Sequence, residues 1–249
     1  MERDGKAEFD ASRIQGAQYF DINAIADLTT DLPHMMPSGE TFETAAGAMG
    51  ISENDEIIVY DGPGLFSSAR VWWTFRTMGA SNVKILKGGF DGWKSAGLPV
   101  ETGAPTEPAP SIFKASFKGD KVRDYVYMKS NVKRGDTLVL DARPFGRFAG
   151  EVPEPRAGLK SGHIPGSKSL PAMELIKDGA LLLPEELEAR FAEVGIANAD
   201  HVTTTCGSGV TAAILSLALD TLGHKDHSLY DGSWADWGSR SDAPVAKWE

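Results

Sequence analysis

The chain has 249 residues and a formal net charge of -10, from 35 acidic and 25 basic side chains. This acidic balance argues against a general nucleic-acid binder and against a polybasic membrane-surface protein. A hydrophobic fraction of 41% suits a globular protein with a substantial core, and a single cysteine excludes an internal disulfide. The charged start, MERDGKAEFD, contains no signal-peptide core, and no apolar run approaches the ~18 residues that span a bilayer. The composition therefore predicts a cytoplasmic protein that binds neither nucleic acid nor membrane.

Strand and helix signals alternate from the first half of the chain onward. The β-branched run in EIIVYDGPGLFSSA, at 56–69, predicts a strand that ends in a glycine turn and leads into a helix. A proline-containing stretch, ETGAPTEPAPSIF at 101–113, predicts a stiff, extended connection. We therefore expect a first domain over 1–105, a linker over 106–116 and a second domain over 117–249.

The second half gives clearer signals for the same alternation. TLVLDAR predicts a strand, LPEELEARFAEVG a helix that opens at Pro184 with acids in its first turn, and HVTTT a strand. TAAILSLALDTLGH predicts a helix closed by Gly223, and HSLYDG a further strand. This order favours the α/β class, with a mainly parallel sheet flanked by helices in each domain.

The two halves are copies of one unit. HVTTTCGSGVTAA resembles EIIVYDGPGLFSSA, and Cys206 falls opposite Asp61, 145 residues earlier. EVGIANAD falls opposite AMGISEND at the same offset, and LYDGSWADW echoes LKGGFDGW. The counterpart of TLVLDAR in the first copy would fall before Met1, so the N-terminal domain is predicted to lack its opening strand. Asp61 places a carboxylate where a nucleophile would stand, which predicts a non-catalytic first domain.

The cysteine lies on a glycine-rich turn between a predicted strand and a predicted helix. In an open α/β sheet, ligands bind at the carboxyl ends of the strands. The N–H groups of the turn and the positive end of the helix stabilise an anion, which favours a thiolate at Cys206. Gly207 and Gly209 allow tight backbone geometry and close approach of a substrate. A buried structural cysteine is the weaker alternative, because such residues rarely precede Gly-Ser-Gly.

Two other thiol chemistries do not fit this turn. A tyrosine-phosphatase-like loop requires Cys-X5-Arg, and the sixth residue after Cys206 is Ala212. A CxxC oxidoreductase requires a second cysteine. The remaining chemistry is that of a nucleophile that accepts a group and passes it on.

The tandem units, together with CGSGVT, DARPFGRFAGEVPEPRAGLKSGHIPGS and YDGSWADW, resemble the rhodanese-type sulfurtransferases over nearly the whole chain. Members that use thiosulfate typically carry Arg and Lys after the cysteine, whereas Cys-Gly-Ser-Gly-Val-Thr is the loop of members that use 3-mercaptopyruvate. The resemblance implies a Cys206 persulfide, release of pyruvate, and no metal or organic cofactor. The sulfur acceptor would be a thiol, cyanide or a thioredoxin-like protein. A thiosulfate sulfurtransferase and a non-catalytic sulfur-carrier or binding module remain alternatives.

The resemblance also implies which residues bind the substrate. Arg147 and Arg156 would bind the carboxylate and the ketone, a task that suits the forked guanidinium. The N–H groups of the turn would hold the persulfide anion, and they belong to Gly207, Gly209, Val210 and Thr211. By contrast, Arg143 and His163 are expected to be structural.

A proton relay is the last implied feature. In the family the loop serine, here Ser208, is grouped with a histidine and an aspartate of the first domain. FDINAIADLTTDLPHMMPS matches that segment and places the histidine at His34. The aspartate position falls on Asn23, with Asp21 two residues earlier, and an asparagine cannot supply the negative charge that stabilises an imidazolium.

Overall fold

The structure is a computed structural model and describes residues 3–248. These residues form two compact units. The limits 1–105, 106–116 and 117–249 remain a prediction from the sequence. The first unit consists of the residues up to Thr29, Met36–Lys118 and Asp178–Ala180, and the second of Thr30–Met35, Gly119–Lys177 and the residues from Leu181 onward.

The first unit contains a small parallel sheet and four helices within the described residues. Strand β1 pairs in parallel with β2, with Ile57 opposite Val83. The elements in chain order are α1 (Gly5–Ala11), α2 (Gly39–Ala48), β1 (Ile57–Val59), α3 (Ser68–Thr77), β2 (Val83–Ile85) and α4 (Gly89–Ser95).

The outer edge of β1 has no partner strand among residues 3–248. Ile58, in the middle of β1, is 59% exposed, whereas its counterpart in the second unit, Thr203, is fully buried. Within residues 3–248, no strand lies beside β1 in the way that Leu138–Asp141 lies beside Val202–Thr205 in the second copy, in agreement with the predicted loss of the opening strand.

An aromatic cluster forms the centre of the first unit. Phe42 packs edge-on against Phe75 and Phe113, with ring centroids 5.0 and 5.1 Å apart, and Phe20 lies 5.6 Å from Phe75. Phe113 belongs to the stretch predicted as a linker, but it is buried in this cluster. The end of that stretch is therefore anchored by apolar packing rather than extended through solvent.

The second unit is built on a larger sheet. Its helices and strands largely alternate, as the sequence predicts, but three short strands occur between Lys168 and Leu181 without an intervening α-helix. The elements in chain order are β3 (Val122–Arg123), α5 (Tyr125–Arg134), β4 (Leu138–Asp141), α6 (Phe145–Ala149), β5 (Lys168–Ser169), β6 (Ile176–Lys177), β7 (Ala180–Leu181), α7 (Pro184–Glu193), β8 (Val202–Thr205), α8 (Ala212–Thr221), β9 (His227–Tyr230) and α9 (Ser233–Trp237).

The main sheet has the strand order β3-β9-β8-β4-β5, and each neighbouring pair of strands in it runs parallel. β8 is central, and all four of its residues are buried. Its threonines keep their hydroxyls satisfied in this core, since Thr203 pairs with Ser228 and Thr204 with Ser216, each at 3.0 Å. The carboxyl end of this buried strand leads directly to Cys206.

Local signals explain where several helices of the second unit begin and end. Asp124 caps α5 by accepting the N–H of Tyr127 at 2.8 Å, and Gly135 closes the helix with a φ of 72°. Pro184 opens α7, as predicted. α8 ends at Thr221, two residues before the predicted stop at Gly223, which takes a φ of 80°.

No helix within residues 3–248 is long and apolar enough to cross a membrane.

Candidate active site

Cys206 stands at the carboxyl end of the central strand, and its backbone is held from both sides. Its N–H donates to Oγ of Ser233 at 3.2 Å, and its carbonyl accepts the N–H of Trp234 at 2.9 Å. The carbonyl of Gly207 accepts the N–H of Ala235 at 2.9 Å. The start of α9 thus fixes the backbone of Cys206 and Gly207. Cys206 itself is only 2% exposed.

Ser233 makes this support possible through an uncommon backbone conformation. Its φ is 49°, in the left-handed region that non-glycine residues rarely occupy. The serine hydroxyl donates to the carbonyl of Tyr230 at 2.8 Å while accepting the Cys206 N–H. Sequence reasoning missed this residue, because nothing in YDGSWADW signals a positive φ at the serine.

The residues after Cys206 form the predicted turn. Gly209 has a φ of 76°, which favours glycine at that position. Ser208 and Val210 are buried, and Thr211 immediately precedes the first residue of α8. The positive end of a ten-residue helix therefore faces the thiol turn, as the sequence predicts.

The first unit displays what such a turn can bind. The carboxylate of Asp61 accepts three N–H bonds, from Gly64 at 2.7 Å, Phe66 at 2.8 Å and Ser68 at 2.9 Å. The side-chain carboxylate of Asp61 therefore fills the turn of the first copy. The shared offset of 145 residues places the corresponding N–H groups of the second copy at Gly209, Thr211 and Ala213.

We expect Asp61→Ala to destabilise the first unit, because three N–H donors lose a charged acceptor. The loss should be about 2 kcal/mol, in the range of hydrogen bonds to charged groups. Urea-induced unfolding would measure it, and Asp61→Asn is the matched control, since its amide oxygen still accepts and the loss should be smaller. Equal stability of Asp61→Ala and the wild type would contradict this role of the carboxylate.

Arg147 reaches the thiol turn from α6. A Cβ placed on Gly207 would lie 3.1 Å from Nη2 of Arg147, so the guanidinium passes directly over this glycine. The side chain of Arg147 keeps 20% of its surface exposed. The structure thus brings together Cys206, Gly207 and Arg147, three of the residues singled out from the sequence.

A buried ionic network supports Arg147. Glu154 contacts both Nη2 and Nε of Arg147, and its Oε1 accepts from Nη1 of Arg143 at 2.7 Å. Arg143 donates to Asp141 through Nη2 at 2.6 Å, and its guanidinium lies 4.1 Å from the ring centroid of Trp234. Arg143 is thus an ion-paired structural residue, as predicted.

Arg156 is placed differently from Arg147. It lies on the surface of the loop that follows α6, with its side chain exposed. Glu154 fixes Arg147 above the turn, and Arg156 takes no part in these contacts. Its role in binding substrate stays a prediction.

The residues of the predicted proton relay belong to both units, with His34 and Ser208 in the second unit and Asn23 in the first. His34 adopts a φ of 61°, and its segment, Thr30–Met35, groups with the second unit rather than with the first domain. Asn23 belongs to the first unit, where its N–H donates to Oδ1 of Asp21 at 2.8 Å in a local turn. The Asp21 carboxylate is thus engaged by its own loop.

His163 has a structural position, as the sequence predicts. Its ring stacks on Phe148, with centroids 3.9 Å apart, and its Nδ1 lies 2.9 Å from the carbonyl oxygen of Phe148. Its backbone forms an isolated bridge with Ala246.

Comparisons with known proteins identify the family of the chain. The family model of the rhodanese-like domain matches residues 3–96 and 124–240. A 3-mercaptopyruvate sulfurtransferase of Escherichia coli K12 is 42% identical over 244 residues, which cover 98% of this chain and 86% of the relative. A mitochondrial thiosulfate/3-mercaptopyruvate sulfurtransferase of Arabidopsis thaliana is 38% identical over 96% of this chain and 68% of the relative. The crystal structure of SseA from Escherichia coli, described as a 3-mercaptopyruvate sulfotransferase, has a TM-score of 0.85 and 39% identity, and the match covers 93% of this chain and 87% of that one.

Proposed function

The chain belongs to the rhodanese family, and from that premise we propose that it is a 3-mercaptopyruvate sulfurtransferase. The observation that carries the proposal is the thiol of Cys206 on an anion-stabilising turn, with the guanidinium of Arg147 over Gly207 and no cation within the turn itself. A site of this charge suits a sulfur donor that carries one carboxylate. The relatives named above, at about 40% identity, support the same activity.

The first half-reaction charges the cysteine with sulfur. The Cys206 thiolate attacks the sulfur of 3-mercaptopyruvate, so that an S–S bond forms and the bond between sulfur and C3 breaks. The electron pair of the broken bond goes to C3 and produces the enolate of pyruvate, which takes up a proton. We propose that Ser208 and His34 provide the route for this proton.

The second half-reaction returns the cysteine to its free form. The persulfide is an anion, and the N–H groups of Gly209 and Thr211 suit it, because their counterparts in the first unit bind the Asp61 carboxylate. A thiol, cyanide or a thioredoxin-like protein attacks the outer sulfur and releases the Cys206 thiolate. No second cysteine exists in the chain, so this acceptor must be another molecule.

The proposal gives the two copies different tasks. The copy over 117–249 is the catalytic domain and the copy over 1–105 is non-catalytic, joined through 106–116. Asp61 supports this division, since its carboxylate occupies its own turn and offers no nucleophilic sulfur. A cytoplasmic location is the prediction made from composition.

We expect Arg147→Ala and Arg156→Ala each to lower kcat/KM for 3-mercaptopyruvate. Loss of a charge-assisted hydrogen bond should lower kcat/KM by roughly 10- to 150-fold. Arg147→Lys should recover only part of the loss, because lysine keeps the charge without the fork. Steady-state rates with cyanide as acceptor would measure these effects, and the exposed Arg134 provides a control through Arg134→Ala. If the arginine variants keep wild-type rates, these side chains do not bind the substrate.

Two other functions are tested by the same assay. The Arabidopsis thaliana relative carries thiosulfate in its name, which favours a thiosulfate sulfurtransferase as the second candidate. Rates for 3-mercaptopyruvate and thiosulfate measured side by side decide between the two donors. Turnover of neither donor by a protein that still accepts sulfur from another enzyme would instead identify a sulfur carrier.

A further inference from the structure

We propose that Glu154 is a positioning residue that holds Arg147 over the Cys206 turn and, through its negative charge, makes the site favour monoanionic over dianionic sulfur donors. The assignment of donor classes rests on the proposed function. The positioning itself rests on contacts within the second unit.

Glu154 lies between two arginine side chains. One carboxylate bridges two guanidinium groups, with Oε1 on Nη1 of Arg143 and Oε2 on Nη2 and Nε of Arg147. Only 2% of the Glu154 side chain is exposed, against 20% for Arg147. The carboxylate is therefore more deeply buried than the Arg147 side chain, and it contacts Nε and Nη2 of Arg147 but not Nη1.

Glu154 has more than a purely structural role. Arg143 has a counterion without it, because Asp141 contacts Nε and Nη2 at 2.6 to 3.1 Å, and the carbonyl of Gly162 accepts from Nη2 at 2.8 Å. The contact between Glu154 and Arg147 is therefore the one that acts on the thiol turn. An arginine side chain loses conformational entropy when it is fixed. Glu154 fixes Arg147 before a substrate arrives.

The charges of the four side chains in this network balance one another. Asp141, Arg143, Glu154 and Arg147 sum to zero, so the buried network offers the substrate hydrogen-bond donors without a net positive charge. Loss of the Glu154 charge would leave a net charge of +1 beside Gly207. Because a dianion gains more from an added positive charge than a monoanion, the preference between donors should shift.

The test compares Glu154→Gln, Glu154→Asp and a matched control, Glu151→Gln, in which an exposed acid of the same loop is neutralised. We expect Glu154→Gln to raise the ratio of kcat/KM for thiosulfate to that for 3-mercaptopyruvate by roughly tenfold, mainly through KM. Glu154→Asp keeps the charge on a shorter side chain, so it should lower both rates with little change in the ratio. Glu151→Gln should leave both unchanged.

A second measurement does not depend on turnover. Cys206 is the only cysteine, so its alkylation by iodoacetamide reports occupancy of the site. Pyruvate and sulfate serve as monoanionic and dianionic probes, and Glu154→Gln should shift the ratio of their protecting concentrations toward sulfate by roughly tenfold. Unchanged ratios in both experiments, or a loss that is proportional for both anions, would overturn the proposal. Absence of turnover in the wild type would instead count against the proposed function, while the alkylation experiment would still test Glu154.

Discussion

Replacing Cys206 with serine is expected to abolish sulfur transfer while the fold remains intact. Removal of a covalent nucleophile lowers kcat by roughly 10⁴- to 10⁶-fold, and a serine hydroxyl cannot carry the transferred sulfur as a persulfide. The backbone contacts of residue 206 to Ser233 and Trp234 do not involve the side chain, so the turn should persist. Steady-state turnover of 3-mercaptopyruvate measures the loss, and thermal unfolding checks the fold.

Mass spectrometry can detect the persulfide on Cys206 directly. Wild-type protein treated with the donor should gain one sulfur atom, ~32 Da, on the peptide that contains Cys206. The serine variant should gain none. Substantial residual turnover in a pure serine variant would disprove a covalent mechanism at this residue.

The stability of the second unit is expected to fall as the pH decreases from about 6.5 to about 4. His227 lies at the start of β9, where burial lowers its pKa to about 4, helped by the positive charge of Lys121. His201 and Lys225 act in the same direction, and Asp220 opposes them. In the unfolded chain the ordinary pKa is 6.5, so between these values the unfolded state binds more protons and stability rises with pH.

The magnitude of this effect follows from the size of the shift. A shift from 6.5 to about 4 corresponds to about 3 kcal/mol, which is fully present above pH 6.5 and lost at pH 4. His227→Leu removes this titration, so the pH dependence between pH 6.5 and 4 should be smaller in that variant by the His227 contribution. Urea-induced unfolding at a series of pH values measures it, with His224→Leu, at an exposed histidine, as the control. Parallel pH profiles for the wild type and His227→Leu would contradict the assignment.

The architecture and the position of Cys206 in it could be predicted because they depend on local patterns. Alternating strand and helix signals require parallel strands, and parallel strands bring their carboxyl ends to one edge. The buried β-branched run that precedes Cys206 therefore placed the thiol correctly. The repeat offset likewise identified Asp61 as its counterpart, but the three N–H bonds that its carboxylate accepts became evident only in the structure.

The support of the site could not be predicted in the same way. Glu154 lies in a loop without helical or strand periodicity, and its burial results from two arginines that converge from α6 and from the end of β4. Ser233 acts through a positive φ that serine rarely adopts. Phe113 lies in a proline-containing stretch whose composition indicates a linker, yet apolar packing holds it in the aromatic cluster of the first unit. Each of these depends on contacts between distant parts of the chain.

The dependence of Cys206 on Ser233 also constrains the order in which the enzyme can mature. The two residues are 27 positions apart, and the serine comes later in the chain. During synthesis the thiol therefore leaves the ribosome before the residues that shape its turn, and domains generally fold as units once their final elements become available. We expect a chain that ends before Ser233 to lack the hydrogen bonds that hold the backbone of Cys206 and Gly207. Sulfur transfer should therefore require a second unit that is complete through α9, and activity of a chain truncated before Ser233 would contradict this dependence.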